Sequence, residues 1–202
     1  DTYLRLDKDL ETFLNYLDKT VGKDNYLFFL SADHGVVQVP GFLKENKIPA
    51  GTISSSQISK DLNLLLEKEF NIKNSVSTVI NYQVVFNKPV IKENNGDLEK
   101  MKQVVIDYLE LQEGILDAGD LTKISSTTLP EELKKRLSNG YNARRSGDVY
   151  IVLKPNWLSS GKTGTSHSAW YPYDAHIPLV FMGWNVKPGK TNKNYYMSDI
   201  AA

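Results

Sequence analysis

The sequence predicts an α/β fold in which a mixed sheet of largely parallel strands carries helices on both faces. Two short apolar runs, at residues 26–30 and 177–182, suit strands that belong to this one sheet and are buried on both sides. Several longer segments have apolar residues at helical spacing instead. Each apolar run borders a polar segment, and such sheet edges are where open α/β proteins bind their ligands.

Composition restricts the class of protein and of partner. Hydrophobic residues make up 41% of the 202 residues, which is enough for a sizeable core and rules out wholesale disorder. The 24 basic residues balance 24 acidic ones, so no net field attracts nucleic acid or an anionic membrane. No run of about 18 apolar residues predicts a membrane span. The absence of cysteine excludes disulfides and thiolate zinc sites.

The elements follow in order along the chain. Apolar residues from Tyr3 to Val21 predict a long amphipathic helix that stops at Gly22. The first apolar run then predicts a strand that ends at the polar loop 31–35. Three later segments have the helical pattern: 54–70, 97–111 and 130–137. Asp97 is the predicted N-cap of the second of them. Three others are short and rich in β-branched residues: 76–80, 83–86 and 148–153.

The middle of the chain is predicted to be a subdomain of its own. No Pro/Gly/Ser-rich linker flanks it, so we predict that residues 38–157 form an α/β insertion packed on a core. Residues 1–37 and 158–202 would form that core. The chain begins at Asp1 and stops within a segment typical of the start of another element, so we expect it to be a piece of a longer protein.

The three histidines are the candidate ligands of a metal. His34 follows Asp33 where the first strand ends, and Gly35 would allow a sharp turn through which both side chains reach one divalent cation. His176 stands at the start of the second apolar run, and His167 lies in a polar loop before it. On spacing alone, a turn with a solvated histidine and a metal site both remain open.

Two of these segments together resemble the alkaline phosphatase superfamily. They are Phe-Phe-Leu-Ser-Ala-Asp-His-Gly at 28–35 and Tyr-Asp-Ala-His-Ile-Pro-Leu-Val-Phe at 173–181. The segments at 139–141, 145–149 and 198–201 are also similar to monomeric bacterial alkaline phosphatases related to type I phosphodiesterases/nucleotide pyrophosphatases. The resemblance covers most of the chain. It implies part of the alkaline-phosphatase-like three-layer α/β fold, with helices on both faces of the sheet.

The resemblance also implies a site and an activity. In that family Asp33 and His34 would ligate the zinc that activates a Ser or Thr nucleophile, and His176 would ligate the second zinc. Imidazole and carboxylate suit Zn²⁺, and two adjacent metals can hold both oxygens of an in-line phosphoryl displacement. The implied enzyme is a zinc-dependent phosphomonoesterase that acts on small-molecule phosphate esters and is periplasmic or secreted.

This chain departs from the family pattern at the start. The family's nucleophile, its first Asp ligand and an Asp-x-x-x-His pair precede the Asp-His-Gly strand, yet only 32 residues precede Asp33 and none is histidine. We therefore expect no catalytic nucleophile in this chain, no turnover by the fragment alone, and weak or absent zinc binding. Sheet surface left uncovered would favour self-association.

The class of the whole enzyme stays open. A phosphodiesterase or phosphonate-ester hydrolase of the same superfamily is the first alternative, and a non-catalytic α/β binding module is the alternative of another class. The segment Gly161-Lys162-Thr163 is similar to a phosphate-binding loop, but Asn156 stands where that motif needs glycine.

Three further features have two interpretations each. His167 resembles the histidine of the family's Thr-x-His-Gly, but Ser168 replaces the glycine and we prefer a surface loop. Asp174 either orients the His176 imidazole or caps a turn. Three aromatic residues either line a substrate mouth or pack on the insertion: Trp170, Tyr171 and Tyr173.

Overall fold

The computed structural model describes residues 1–159 and 164–201, which form two compact units. The first unit contains Asp1–Asp33 and the residues from Ile177 onward; the second is His34–His176. The predicted insertion 38–157 lies inside the second unit, and its exact limits remain a prediction. The segment Gly161-Lys162-Thr163 lies outside the described residues.

The helices and strands have the following bounds. The helices are α1 (Thr2–Leu17), α2 (Pro40–Glu45), α3 (Ser55–Phe70), α4 (Lys88–Glu93), α5 (Leu98–Glu110), α6 (Glu131–Gly140) and α7 (Pro172–Ala175). The strands are β1 (Leu27–Ser31), β2 (Gly51–Ile53), β3 (Val76–Ile80), β4 (Gln83–Phe86), β5 (Ile115–Asp120), β6 (Val149–Leu153), β7 (Trp157–Ser159) and β8 (Leu179–Gly183).

The first unit is a helix and a two-stranded sheet. The α1 helix continues through a π-helical turn that ends at Gly22, whose φ of 97° is easy only for glycine. Strands β1 and β8 pair with each other, with Phe29 opposite Phe181, so the prediction that both segments share a sheet is confirmed. They run antiparallel, and the prediction that they are buried on both faces is wrong for this chain, because none of this unit's described residues is buried.

The second unit contains a four-stranded sheet in the order β3-β4-β6-β5, and all its pairs are antiparallel. Within the described residues, only β2 and β7 pair in parallel, so the prediction of largely parallel strands is wrong. The local reason lies in the turn between β3 and β4. Asn81 and Tyr82 have φ of 49° and 56°, the two positive values of a tight hairpin turn, which returns the chain antiparallel.

Helices cover both faces of this four-stranded sheet, although two helical layers were predicted for the sheet that contains residues 26–31 and 177–183. Strand β6 supplies both cores because successive side chains of a strand point to opposite faces. Its residues Val149, Ile151 and Leu153 join the core formed with α3 and α5. Its residues Tyr150 and Val152 join a smaller core formed with α6 and the preceding 3-10 turns. The prediction that this part of the chain is α/β is therefore confirmed.

The caps of the predicted helices are largely as expected. Asp97 accepts a hydrogen bond from Lys100 N at the start of α5, and Ser54 does the same for Gln57 N at the start of α3. The α6 helix runs to Gly140, past its predicted end. None of the helices in the described part of the chain is long and apolar enough to cross a bilayer.

A buried lysine ties α5 to the end of β5. Lys102 Nζ lies 3.1 Å from Asp120 Oδ2 and 2.8 Å from Glu99 Oε1, and the Lys102 side chain is only 7% exposed. Thr122 donates its backbone and hydroxyl protons to Asp120 Oδ1. These bonds satisfy charges that would be costly to bury alone.

Candidate functional site

The Asp-His-Gly loop follows β1. Asp33 is exposed and His34 is half-buried. His34 Nδ1 lies 2.7 Å from the carbonyl oxygen of Gly35. Because a carbonyl only accepts, Nδ1 must carry the proton, and Nε2 then carries the lone pair. A backbone partner on one ring nitrogen is the usual way in which a metal-binding histidine is oriented.

Gly35 brings this loop against the segment that contains His176. Its N–H donates to the carbonyl oxygen of Asp174 at 2.6 Å. A Cβ at Gly35 would lie 2.2 Å from the carbonyl oxygen of Tyr173, which is backbone and cannot rotate away. The φ of Gly35 is not in the left-handed region. Glycine is therefore required here for close approach, and not for the sharp turn that we predicted.

The imidazole that lies against His34 is that of His167. The two rings stack with their centroids 3.5 Å apart and their planes 13° apart. Thr165 reinforces the contact, because its hydroxyl donates to the carbonyl oxygen of Val37. His167 is exposed, as a loop residue would be, although its ring stacks on that of His34. The signal for it in the sequence was the Thr-x-His pattern, which the serine at position 168 obscured.

His176 and Asp174 lie on or just after the short helix α7. The His176 side chain is exposed, and its backbone N–H donates to the carbonyl oxygen of Pro172 at 3.0 Å. Asp174 is 3% exposed, and its Oδ2 accepts the backbone N–H of Ala169 at 2.5 Å. Its carboxylate thus holds the loop after His167, and no hydrogen bond between described residues joins it to the His176 imidazole.

The aromatic residues that follow His167 pack on the sheet. Tyr171 donates its hydroxyl to the carbonyl oxygen of Leu153 at 2.7 Å, and burial raises its pKa to about 12. Tyr173 accepts the backbone N–H of Asn156 at 3.1 Å. Trp170 packs against the smaller core and borders a cleft of about 300 Å³. Of the two interpretations, packing on the insertion accounts for these contacts.

The donor atoms suit zinc in kind but not in number. Imidazole nitrogen and carboxylate oxygen are ordinary zinc ligands, and a tight site takes at least three of them from the protein. Across residues 1–159 and 164–201, no group of three or more His, Cys, Asp or Glu side chains could hold a metal ion. The assignment of Asp33, His34 and His176 as ligands stays a prediction.

Comparison with known proteins gives a consistent group of relatives. The model of the family "Type I phosphodiesterase / nucleotide pyrophosphatase" matches residues 1–183. The chain is 57% identical over 201 residues to alkaline phosphatase PhoV of Synechococcus elongatus, covering all of this chain and 36% of PhoV. It is 44% identical over 202 residues to alkaline phosphatase PafA of Elizabethkingia meningoseptica, of which it covers 37%.

The fold agrees with that of a solved relative. A crystal structure of wild-type alkaline phosphatase PafA superposes with a TM-score of 0.94 at 43% identity, over 99% of this chain and 38% of the PafA chain. The chain therefore spans little more than a third of the length of the relatives that it matches.

Proposed function

Because the chain belongs to the type I phosphodiesterase/nucleotide pyrophosphatase family, we propose that it is part of a metal-dependent phosphoric ester hydrolase of the alkaline phosphatase type. The substrates would be small-molecule phosphate monoesters. The observation that carries the proposal is the stack of His34 and His167, which joins two family motifs from distant parts of the chain.

Zinc is the metal of the proposal. When bound, zinc would polarise the phosphoryl oxygens and lower the pKa of a nucleophile or water. The contribution of this chain is to present oriented ligands: His34, whose Nδ1 is held by a backbone carbonyl, and the adjacent carboxylate Asp33. The remaining ligands and the Ser or Thr nucleophile would come from elsewhere in the full-length protein.

The second imidazole of the site has two candidates. The family resemblance assigned His176, whereas the stack on His34 supports His167. The ring of His167 lies against that of His34, while the exposed His176 side chain has no such partner among the described residues. We therefore propose His34 and His167 as the imidazole pair, and Asp33, which precedes His34 in the sequence, as the carboxylate ligand.

The test is phosphate-ester turnover by the full-length protein. Activity on p-nitrophenyl phosphate should disappear after chelation and return with added zinc. His34→Ala and His167→Ala should each lower kcat/KM by at least about 100-fold, because a displaced or missing ligand disrupts the reacting geometry. Lys73→Ala, at an exposed side chain, is the control. Inactivity of the zinc-loaded wild-type protein would refute the proposal, and loss in His176→Ala but not His167→Ala would return the ligand role to His176.

Phosphodiester hydrolysis is the second candidate, and the description of the matching family favours it. The metal chemistry is common to both reactions, so the residues of this chain fit either. Parallel measurements with p-nitrophenyl phosphate and bis-p-nitrophenyl phosphate decide between them. A higher kcat/KM for the diester would replace the monoesterase proposal, and a phosphonate monoester would test the remaining alternative.

We also propose that the full-length protein is periplasmic or secreted, on the strength of the family resemblance alone. Cell fractionation followed by immunoblotting tests this. Recovery with cytoplasmic markers would contradict it.

The isolated chain should associate with itself. Its first unit exposes apolar side chains on β1, on β8 and directly after β8, namely Leu27, Phe29, Val180 and Trp184. Exposed apolar patches of this kind favour association. Sedimentation velocity at two protein concentrations should show an increasing mean mass. A monomer at both concentrations would contradict the proposal.

A further inference from the structure

One buried residue contacts both loops that carry the stacked imidazoles. The Oδ2 atom of Asp174 accepts the N–H of Ala169 at 2.5 Å, and the backbone oxygen of Asp174 accepts the N–H of Gly35 at 2.6 Å. Ala169 lies two residues after His167, and Gly35 directly follows His34. Two oxygens of a single residue thus fix the backbone beside each ring.

The strength of these bonds depends on the burial of Asp174. The residue is 3% exposed, so little water competes for its carboxylate. A hydrogen bond from a backbone N–H to a carboxylate is shorter and roughly twice as strong as one between neutral groups. If the carboxylate is removed, the N–H of Ala169 loses its partner and the loop is free to move away from the Asp-His-Gly loop.

We propose that Asp174 is a positioning residue that holds His167 face to face with His34. The proposal rests on the proposed function, since the two imidazoles matter as the ligand pair of that site. Asp174 itself touches neither ring by a hydrogen bond among the described residues. It acts through the backbone of Ala169 and of Gly35.

Asp148 is a matched control for Asp174, because it is also buried and bonded but its bonds lie outside the proposed site. It is also buried, at 5% exposure, and its Oδ2 also accepts a backbone N–H, that of Phe86 at 3.0 Å. Its other oxygen pairs with Lys88 at 2.7 Å. Asp148 therefore resembles Asp174 in burial and bonding, but it holds strand β4 and no part of the site.

The first experiment compares substitutions at the two aspartates in the full-length zinc-loaded protein. Asp174→Ala should lower kcat/KM for p-nitrophenyl phosphate by about 100-fold, which is the usual effect of a displacement of about 1 Å at a site. Asp174→Asn should lose less, because its amide oxygen still accepts the N–H. Asp148→Asn should lower the melting temperature and leave kcat/KM unchanged. An Asp174→Ala variant whose kcat/KM is as little changed as that of Asp148→Asn would overturn the proposal.

A double-mutant cycle tests whether Asp174 acts through His167. If it does, Asp174→Ala should cost about 100-fold in the wild-type background and almost nothing in a His167→Ala background, because coupled residues are not additive. Additive losses would mean that Asp174 supports the protein in general, and would overturn the proposal.

A readout that needs no turnover separates this inference from the proposed function. With labelled histidine in the full-length protein, the cross-relaxation between the His34 and His167 ring protons should be present in wild type and Asp148→Asn. It should be lost in Asp174→Ala. If that contact is lost while the wild-type protein hydrolyses no phosphate ester, the proposed function fails and the positioning role stands. A contact that survives in Asp174→Ala overturns the positioning role whatever the activity.

Discussion

The two units of this chain differ in how far they bury the apolar sides of their amphipathic helices. In the second unit, Leu62 and Leu66 on α3 and Leu109 on α5 have no exposed surface at all. In the first unit the apolar side of α1 stays partly open to solvent, with Leu6 at 46% and Phe13 at 48% exposure. Helical periodicity therefore predicts a helix and its apolar side correctly in both units, but it does not predict whether this chain supplies the surface that covers that side.

The most direct test of this difference compares one leucine from each unit. Leu66→Ala should lower the free energy of unfolding of the 202-residue chain by about 2–5 kcal/mol, because it removes buried contacts and leaves a cavity. Leu6→Ala should change it by no more than about 1 kcal/mol, since a side chain that is 46% exposed loses little on truncation. Urea titration of both variants measures the effect. Equal losses would mean that α1 is covered in solution.

The close approach of the Gly35 backbone to that of Tyr173 can be tested by adding a side chain at Gly35. Gly35→Ala places a Cβ 2.2 Å from the backbone oxygen of Tyr173, so the loop of His34 must move. We expect kcat/KM of the full-length protein to fall about 100-fold. Gly41→Ala on α2 is the control, because a Cβ there meets nothing within 4 Å and alanine favours a helix. Full activity of Gly35→Ala would show that the approach of these two loops is not needed.

Much of the second unit's architecture could be predicted from local pattern. The caps Ser54 and Asp97, the strands β3, β4 and β6, and the helical layers on both faces all follow from periodicity and side-chain chemistry. Strand direction could not, because it depends on which strands meet. Local pattern also missed β5, in which Gly119 leaves room for the ring of Tyr150.

The site was predicted less completely than the fold. The sequence identified the Asp-His-Gly loop. A histidine in a loop, such as His167, belongs to no periodic pattern of apolar residues, so its position in the sequence does not predict which side chains it contacts in the fold. Its stack on His34 is accompanied by bonds that Thr165 and Asp174 make to the loop of His34, and only the folded chain brings these groups together. Gly35 was singled out for the wrong physical reason, since turns are local and close approach is not.

The buried ion pairs of the second unit predict a dependence on pH. Burial alone would raise the pKa of Asp120, but hydrogen bonds from Thr122 and Lys102 outweigh it and hold that pKa below its ordinary 3.8. Burial would lower the pKa of Lys102, but bonds to Glu99 and Asp120 hold it above its ordinary 10.5. The Asp120 contribution to stability is therefore complete above pH 3.8 and lost as the pH falls through the lower folded pKa. The Lys102 contribution is complete below pH 10.5 and lost at higher pH.

Lys102→Met tests this cluster. It should lower the free energy of unfolding at pH 7 by about 1–3 kcal/mol, because Asp120 loses a buried partner and keeps the more distant Lys123 at 3.4 Å. The variant should also lose less stability than wild type between pH 10 and pH 12. Urea titrations across that range measure both effects, with Lys100→Met, at an exposed pair, as control. An unchanged alkaline profile would contradict the role of Lys102.

The smallest effect is expected on the exposed sheet of the first unit. Phe29 and Phe181 face each other across β1 and β8 with their ring centroids 6.0 Å apart, and Phe29 is 52% exposed. A cross-strand aromatic pair contributes roughly 0.2–1 kcal/mol, so Phe29→Ala should cost no more than about 1 kcal/mol in the 202-residue chain. In the full-length protein the same substitution should cost about 3–5 kcal/mol if the rest of the polypeptide buries this ring. Urea titration of both proteins measures the difference. A small loss in both proteins would mean that the ring stays exposed to solvent in the full-length protein as well. The difference in apolar burial between the two units would then be a property of the fold and would not result from the missing remainder of the polypeptide.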